Sequence, residues 1–198
     1  MYTNSTLSLL GALGLAACAN GSSYVPAVTS NAVVANVQAI DYPMPPEAPA
    51  GDIRLATLGV VEVHPLDAPT GTAKAIHVRM VATNAGPTPW TIDAREQRIT
   101  LAGAAPIHAG GAITGQGAEP PIVEIAAGGK GAIDLIFVLP EEFQRASKRP
   151  EFDVLWTVHT GTRTVELRTP FDRLSMSSYY SDDWSTPGEW GGSSSPSR

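Results

Sequence analysis

One cysteine, Cys18, is all the thiol in this chain of 198 residues, so no intramolecular disulfide can form and no thiolate cluster can hold zinc. The core must hold by packing alone. A membrane span is missing from the leader, because a helix needs about 20 apolar residues to cross a bilayer and the uncharged stretch Leu7 to Ala17 has eleven. Basic excess is missing as well. Lys and Arg number 13 against 19 Asp and Glu, a formal charge of −6, and nucleic acid wants a basic stripe to displace counterions from its phosphates. Nucleic acid is therefore excluded as a partner, and an acidic surface is equally unsuited to docking on anionic headgroups.

Catalytic signatures are also absent. There is no Gly-x-Ser-x-Gly elbow and no His-Glu-x-x-His pair. The run Gly110, Gly111, Ala112, Ile113, Thr114, Gly115, Gln116, Gly117 lacks the Lys and Ser or Thr of a phosphate-binding loop, and Ala118, Glu119, Pro120, Pro121 cannot open a helix after it. A loop between strands is the expectation. Asp134 and Glu124 alternate with apolar residues as a solvent face requires, so no paired acid and base is expected. His64, His77, His108 and His159 are spaced singly, and Met44, Met80 and Met176 are scattered. No metal site, no cofactor and no catalytic residue is assigned, and a non-enzymatic protein is expected.

What is present begins with the placement of Cys18. It follows Leu15, Ala16 and Ala17 at the end of the apolar stretch, and a short apolar run closing on small residues has the form of a cleavable secretory signal. The preceding Met1 to Thr6 has no Lys or Arg, so its α-amine is its only positive charge. The Leu-Ala-Ala-Cys order resembles the lipobox of bacterial lipoproteins. That resemblance implies cleavage between Ala17 and Cys18, diacylglycerol on the Cys18 thiol and an added acyl chain such as palmitate. Each buried CH₂ of such chains contributes about 0.8 kcal/mol, so two or three of them hold firmly. Residue 19 is Ala, not the Asp that resembles an inner-membrane retention signal, so the expected location is the outer membrane, facing the periplasm.

Beyond residues 1–17 the chain divides into three zones. Residues 18–52 are poor in charge and end with Pro43, Pro45, Pro46 and Pro49, which fix φ and favour an extended spacer. This zone is expected to be a linker that stands the domain off the bilayer. Within it Val33, Val34, Val37 and Ile40 fit either a short helix face or a strand that joins the domain. Residues 53–173 alternate with period two, interrupted by turn residues. Ile53, Leu55, Thr57, Gly59, Val61 and Val63 are expected on one face of a first strand, and Ile76, Val78, Met80 and Ala82 on one face of a second. Trp90 with Ile92, Ile99 with Leu101, and Ile122 to Ala126 mark three more. Ile133, Leu135, Phe137 and Leu139 follow before Pro140, then Phe152, Val154, Trp156 and Val158, then Val165 and Leu167. The one helical candidate, Glu141 to Lys148, carries Glu141 and Glu142 where they complement a helix dipole. Seven or eight short strands at this spacing predict an all-β fold, an antiparallel sandwich of immunoglobulin type.

Three segments carry a family resemblance: Arg79 to Gly86 with its Asn84-Ala85-Gly86 ending, Ile125 to Gly131, and Phe137-Val138-Leu139-Pro140. Together they resemble the immunoglobulin-like domains of unknown function found on bacterial lipoproteins, over roughly residues 53 to 173. The resemblance implies a binding or structural module and supplies no catalytic residue.

Residues 174–198 are rich in Ser, Gly and Pro with Tyr179, Tyr180, Trp184 and Trp190, a composition expected to stay disordered. The reading is an envelope lipoprotein whose sandwich serves as a structural or protein-binding module, with the membrane and another envelope protein as partners. The alternative is a periplasmic small-ligand or metal carrier, for copper or zinc, whose His and Met converge in space.

Overall fold

Period-two alternation becomes burial in the computed structural model, which describes residues 24–28, 30–64, 71–110, 122–146, 149–161 and 163–174. The clearest case is β11 (Phe152–Thr160), which alternates buried and half-buried residues from end to end. Its inward row, Phe152, Val154, Trp156 and Val158, is at most 3% exposed. The other strands are β1 (Tyr24–Pro26), β2 (Ala32–Val34), β3 (Val37–Pro43), β4 (Gly51–Val63), β5 (Ala73–Asn84), β6 (Trp90–Asp93), β7 (Arg98–Leu101), β8 (Ile107–His108), β9 (Ile122–Ile125), β10 (Lys130–Val138) and β12 (Arg163–Arg173). Among the described residues, helix is confined to a 3₁₀ turn, Ala94–Glu96, and one turn of α-helix, α1 (Glu141–Gln144).

Two antiparallel sheets result. One runs β10, β5, β4, β3, β2. The other runs β1, β12, β11, β6, β9, with β7 also on β11 and β8 on β7. Their inner faces share one core. Ile53, Leu55, Val78, Met80 and Phe137 from the five-stranded sheet pack with Trp90, Ile99, Trp156 and Phe171 from the seven-stranded one. At one end Tyr24 meets Phe152 edge-on at 4.9 Å and Phe152 stacks on Phe171 at 5.2 Å, geometries that aromatic rings favour.

All eight strands expected between residues 53 and 173 are present, and four more join them. The boundary at residue 53 is the main correction. Residues 24–52, expected as a linker, contain β1, β2 and β3, and all three are paired into the sheets. Met44 is fully buried within the proline-rich stretch. Tyr42 packs against Trp156 at 5.2 Å, and its hydroxyl hydrogen-bonds Thr169 at 2.8 Å. The Trp156 indole N–H donates to the same Thr169 oxygen at 2.9 Å. One buried hydroxyl thereby joins β3, β11 and β12 across the two sheets.

Of the two forms open to Val33, Val34, Val37 and Ile40, the strand is the one adopted. β2 and β3 form a hairpin whose two turn residues, Ala35 and Asn36, have φ of 51° and 64°, the positive pair that matches strand twist in a two-residue hairpin. Val34 and Ala39 bury against Ala56 in a second, smaller core.

Two smaller corrections have local causes. The pairing register of β4 shifts between Thr57 and Gly59, so Val60, not Val61, lies opposite Ile76 and packs against the main core. An extra residue in one strand reverses the alternation after it. The helix stops at Gln144 rather than running on as expected, and Gln144 turns its amide to the Leu139 and Lys74 carbonyls and accepts from the Lys74 N–H. Residues 147–148 lie outside the described residues, as do residues 1–17, expected as a signal, the glycine run from 111 onward and the tail 175–198.

Candidate functional site

Two histidine clusters stand on the outer faces of the sandwich, one on each sheet. On the five-stranded sheet the registered pairs His77 with Ile136 and Arg79 with Asp134 sit side by side. His77 Nε2 meets Asp134 Oδ1 at 2.9 Å, with Arg79 at 3.7 Å from the same oxygen. The hydrogen bond from His77 holds the Asp134 carboxyl below the ordinary aspartate range, against the opposing pull of partial burial. His77 was expected to face outward, and does, but its side chain is only 8% exposed. Asp134, expected on a plain solvent face, is its hydrogen-bond partner.

The second cluster depends on the 3₁₀ turn between β6 and β7. Asp93 caps that turn, its carboxylate accepting from the Arg95 backbone N–H at 2.9 Å. The Arg95 side chain then holds the Asp93 carboxyl below its usual range. The turn interrupts pairing to β11, and Gln97 repairs the gap. Its amide donates to the Thr157 carbonyl at 3.0 Å and accepts from the Thr157 N–H at 2.9 Å, so a side chain substitutes for a missing strand residue. Glu96 is thereby set against His159 Nε2 at 2.7 Å, while His159 Nδ1 lies 3.1 Å from the Thr164 hydroxyl.

Carboxylate, imidazole and hydroxyl in line are the parts of a proton relay. Acyl transfer also needs a walled site with donors aimed at a developing oxyanion. Glu96 and Thr164 instead lie exposed on an open sheet face. The arrangement holds the β11–β12 hairpin to the 3₁₀ turn and carries no assigned reaction.

His64 and His108 each take a backbone carbonyl, of Gly71 and Arg95 respectively. Met44 and Met80 are both in the core. Among the described residues the histidines and methionines do not come to one point, and no three of His, Cys, Asp and Glu gather around a metal position. Glu124, like Asp134 a solvent-face expectation, is exposed on β9. Cys18 and Ala17 lie outside the described residues, and so does Met176. Among the described residues no helix is long and apolar enough to cross a membrane.

Sequence reasoning missed the role of Asn84. Fully buried, it donates to the Thr88, Ile125 and Ala126 carbonyls and accepts from the Gly86 N–H at 2.9 Å. The Asn-x-Gly ending of β5 is a joint between that strand and the β9–β10 turn. Its signal was visible as an Asx turn, but the two long-range acceptors were not.

No protein-family profile matches this chain, and no curated protein matches it. Among solved structures, the X-ray structure of Northeast Structural Genomics Consortium target SoR45 aligns over 74% of this chain and 96% of its own, at 14% identity and a TM-score of 0.34. That likeness is too slight to carry fold or function across.

Proposed function

We propose that this chain is a membrane-anchored envelope lipoprotein whose immunoglobulin-like sandwich is a non-catalytic structural or protein-binding module. Support for the immunoglobulin-like assignment is connectivity. β5 pairs with β4 and β10, β11 pairs with β12, β6 and β7, and the chain crosses between the sheets after β1, β5, β9 and β10, the kind of exchange expected of a Greek-key sandwich.

The observation that carries the functional reading is the position of Tyr24. It is already paired into the seven-stranded sheet, and it stands six residues after Cys18. At about 3.5 Å per residue even a fully extended tether reaches no more than roughly 20 Å, so a lipid on Cys18 would hold the sandwich close against the membrane rather than out on a stalk. The two histidine clusters on the outer faces lie on open sheet rather than in a walled cleft, and their hydrogen bonds tie neighbouring strands together. A partner is expected among envelope proteins, met by loops or by an edge strand such as β2, where Val33 is 59% exposed.

Fractionation of envelopes after a high-salt wash, with wild type and Cys18→Ser, tests the anchor. The wild type is expected to stay with membranes and the serine variant to leave them; identical fractionation overturns the reading. Crosslinking and pull-down from the same envelopes tests the module, with a stable protein complex as the expected result and turnover of a substrate by the purified chain as the contrary one.

A further inference from the structure

At one pole of the sandwich β1 and the end of β12 meet the connection that follows α1. Tyr24 is registered with Arg173, and its hydroxyl donates to the Pro150 carbonyl at 3.3 Å. Burial raises the Tyr24 hydroxyl pKa, and the positive charges of Arg149 and Arg173 both pull it back, which places two guanidiniums within electrostatic reach of one phenol.

Arg149 is unlike most other arginines of the fold. Arg54, Arg79, Arg95, Arg163 and Arg168 each have a carboxylate at ion-pair distance and are more than a third exposed. Arg149 is 8% exposed, its Nε is buried without a hydrogen-bond partner, and among the described residues neither it nor Arg173 makes an ion pair. Taking a guanidinium out of water without a counter-charge is costly, and since no carboxylate among the described residues lies at ion-pair distance, this charge is open to an anion from outside. Both arginines line one recess of about 510 Å³ with Ala102, Phe143, Pro150 and Glu151. Glu151 is the one carboxylate among these residues and is exposed to solvent.

We propose that Arg149 and Arg173 form a phosphate site that receives the headgroup of an anionic phospholipid in the membrane beneath the domain. The planar guanidinium fork matches phosphate oxygens two at a time, and Phe143 gives the recess an apolar wall. The formal charge of −6 conceals this pole because most of the other arginines are neutralised in place. Lipid as the source of the phosphate rests on the Cys18 anchor, which brings this pole within roughly 20 Å of the bilayer; the two-arginine recess does not depend on it.

The full chain carrying Cys18→Ser, which removes acyl insertion, is floated at low salt with vesicles of phosphatidylcholine alone or mixed with phosphatidylglycerol. Binding to the mixed vesicles only is expected. Arg149→Gln and Arg173→Gln each weaken it about fivefold, the worth of one basic side chain at an anionic surface. Arg163→Gln, the same charge removed at the far end of β12, leaves it unchanged. Arg173 is half-buried, so its variant carries the test if Arg149→Gln does not fold, as read by urea denaturation. Equal binding by Arg173→Gln and the parent overturns the site. Saturable binding of inorganic phosphate that requires both arginines, with no preference for the mixed vesicles, overturns the lipid assignment and leaves free phosphate. The two readings fail separately. A Cys18→Ser chain that survives the high-salt wash on membranes sinks the anchor alone, and loss of vesicle preference with intact anchoring sinks the site alone.

Discussion

Residues 24–52 and residues 53–173 build the same sandwich by different means. The later region spells its strands out, with four inward residues of β5 in strict alternation, Ile76, Val78, Met80 and Ala82, all fully buried. The earlier region contributes to the main core chiefly through three residues, Tyr24, Ile40 and Met44, with Tyr42 packed against it. The difference teaches that membership of a core is not measured by periodicity. A strand at or near a sheet edge can be integral through one or two large side chains and its backbone hydrogen bonds, and prolines do not prevent this where the ladder needs no N–H.

The most severe way to break the comparison is to remove the first region. A chain starting at residue 53 is expected to lose the cooperative urea transition that a chain starting at residue 24 retains, because the core then lies open along β4. Retention of the transition by the shorter chain would restore residues 24–52 to the status of a spacer.

Matched truncations sharpen the same contrast. Met44→Ala is expected to cost about 2–5 kcal/mol, the range for emptying a fully buried site, and as much as Met80→Ala. A cost for Met44→Ala near zero in the same denaturation measurement would mean that the first region packs without mattering.

The two histidine clusters give a contrast within the second region. Asp134→Ala leaves the buried His77 Nε2 without its partner, at about 1–3 kcal/mol, whereas Glu96→Ala opens a pair at the surface worth about 0–1 kcal/mol. Because the folded-state pKa of Asp134 is depressed, its contribution is present above the ordinary aspartate pKa of about 3.9 and disappears as pH falls through the lower folded value. The gap between wild type and Asp134→Ala is therefore expected to close below about pH 4, as followed by denaturation across pH. A gap that persists at lower pH would place the cost in packing instead.

The smallest effect belongs to the β2–β3 turn. Ala35 holds a φ of 51°, a left-handed conformation that Asn tolerates better than Ala. Ala35→Asn is expected to stabilise by roughly 0.5–1 kcal/mol, visible as a raised urea midpoint.

Legibility in the sequence follows the same division. Strands that bury a whole face leave a period-two trace, so β4 to β7 and β9 to β12 were readable. β1 and β2 have three residues each and β8 has two, too few for any period to appear. The bulge at Gly59 was visible as a glycine in a strand, but not the reversal of Val60 and Val61, because register is set by the partner strand. The side chains that stitch the fold, Asn84, Gln97 and Thr169, act over long sequence separations, and only their tertiary neighbours assign them. The same limit applies to Arg149, which no sequence pattern singles out and whose burial is a tertiary property.

Native-state hydrogen exchange of the full chain tests the central point most directly, namely that the sandwich begins at Tyr24 and so stands within a few residues of Cys18. The amides of β3 that pair with β4, from Ile40 to Tyr42, are expected to open with nearly the same free energy as those of β5 and β11, as one cooperative unit. Opening of β3 at close to zero free energy, with β5 and β11 still protected, would contradict the account and return the region to a spacer.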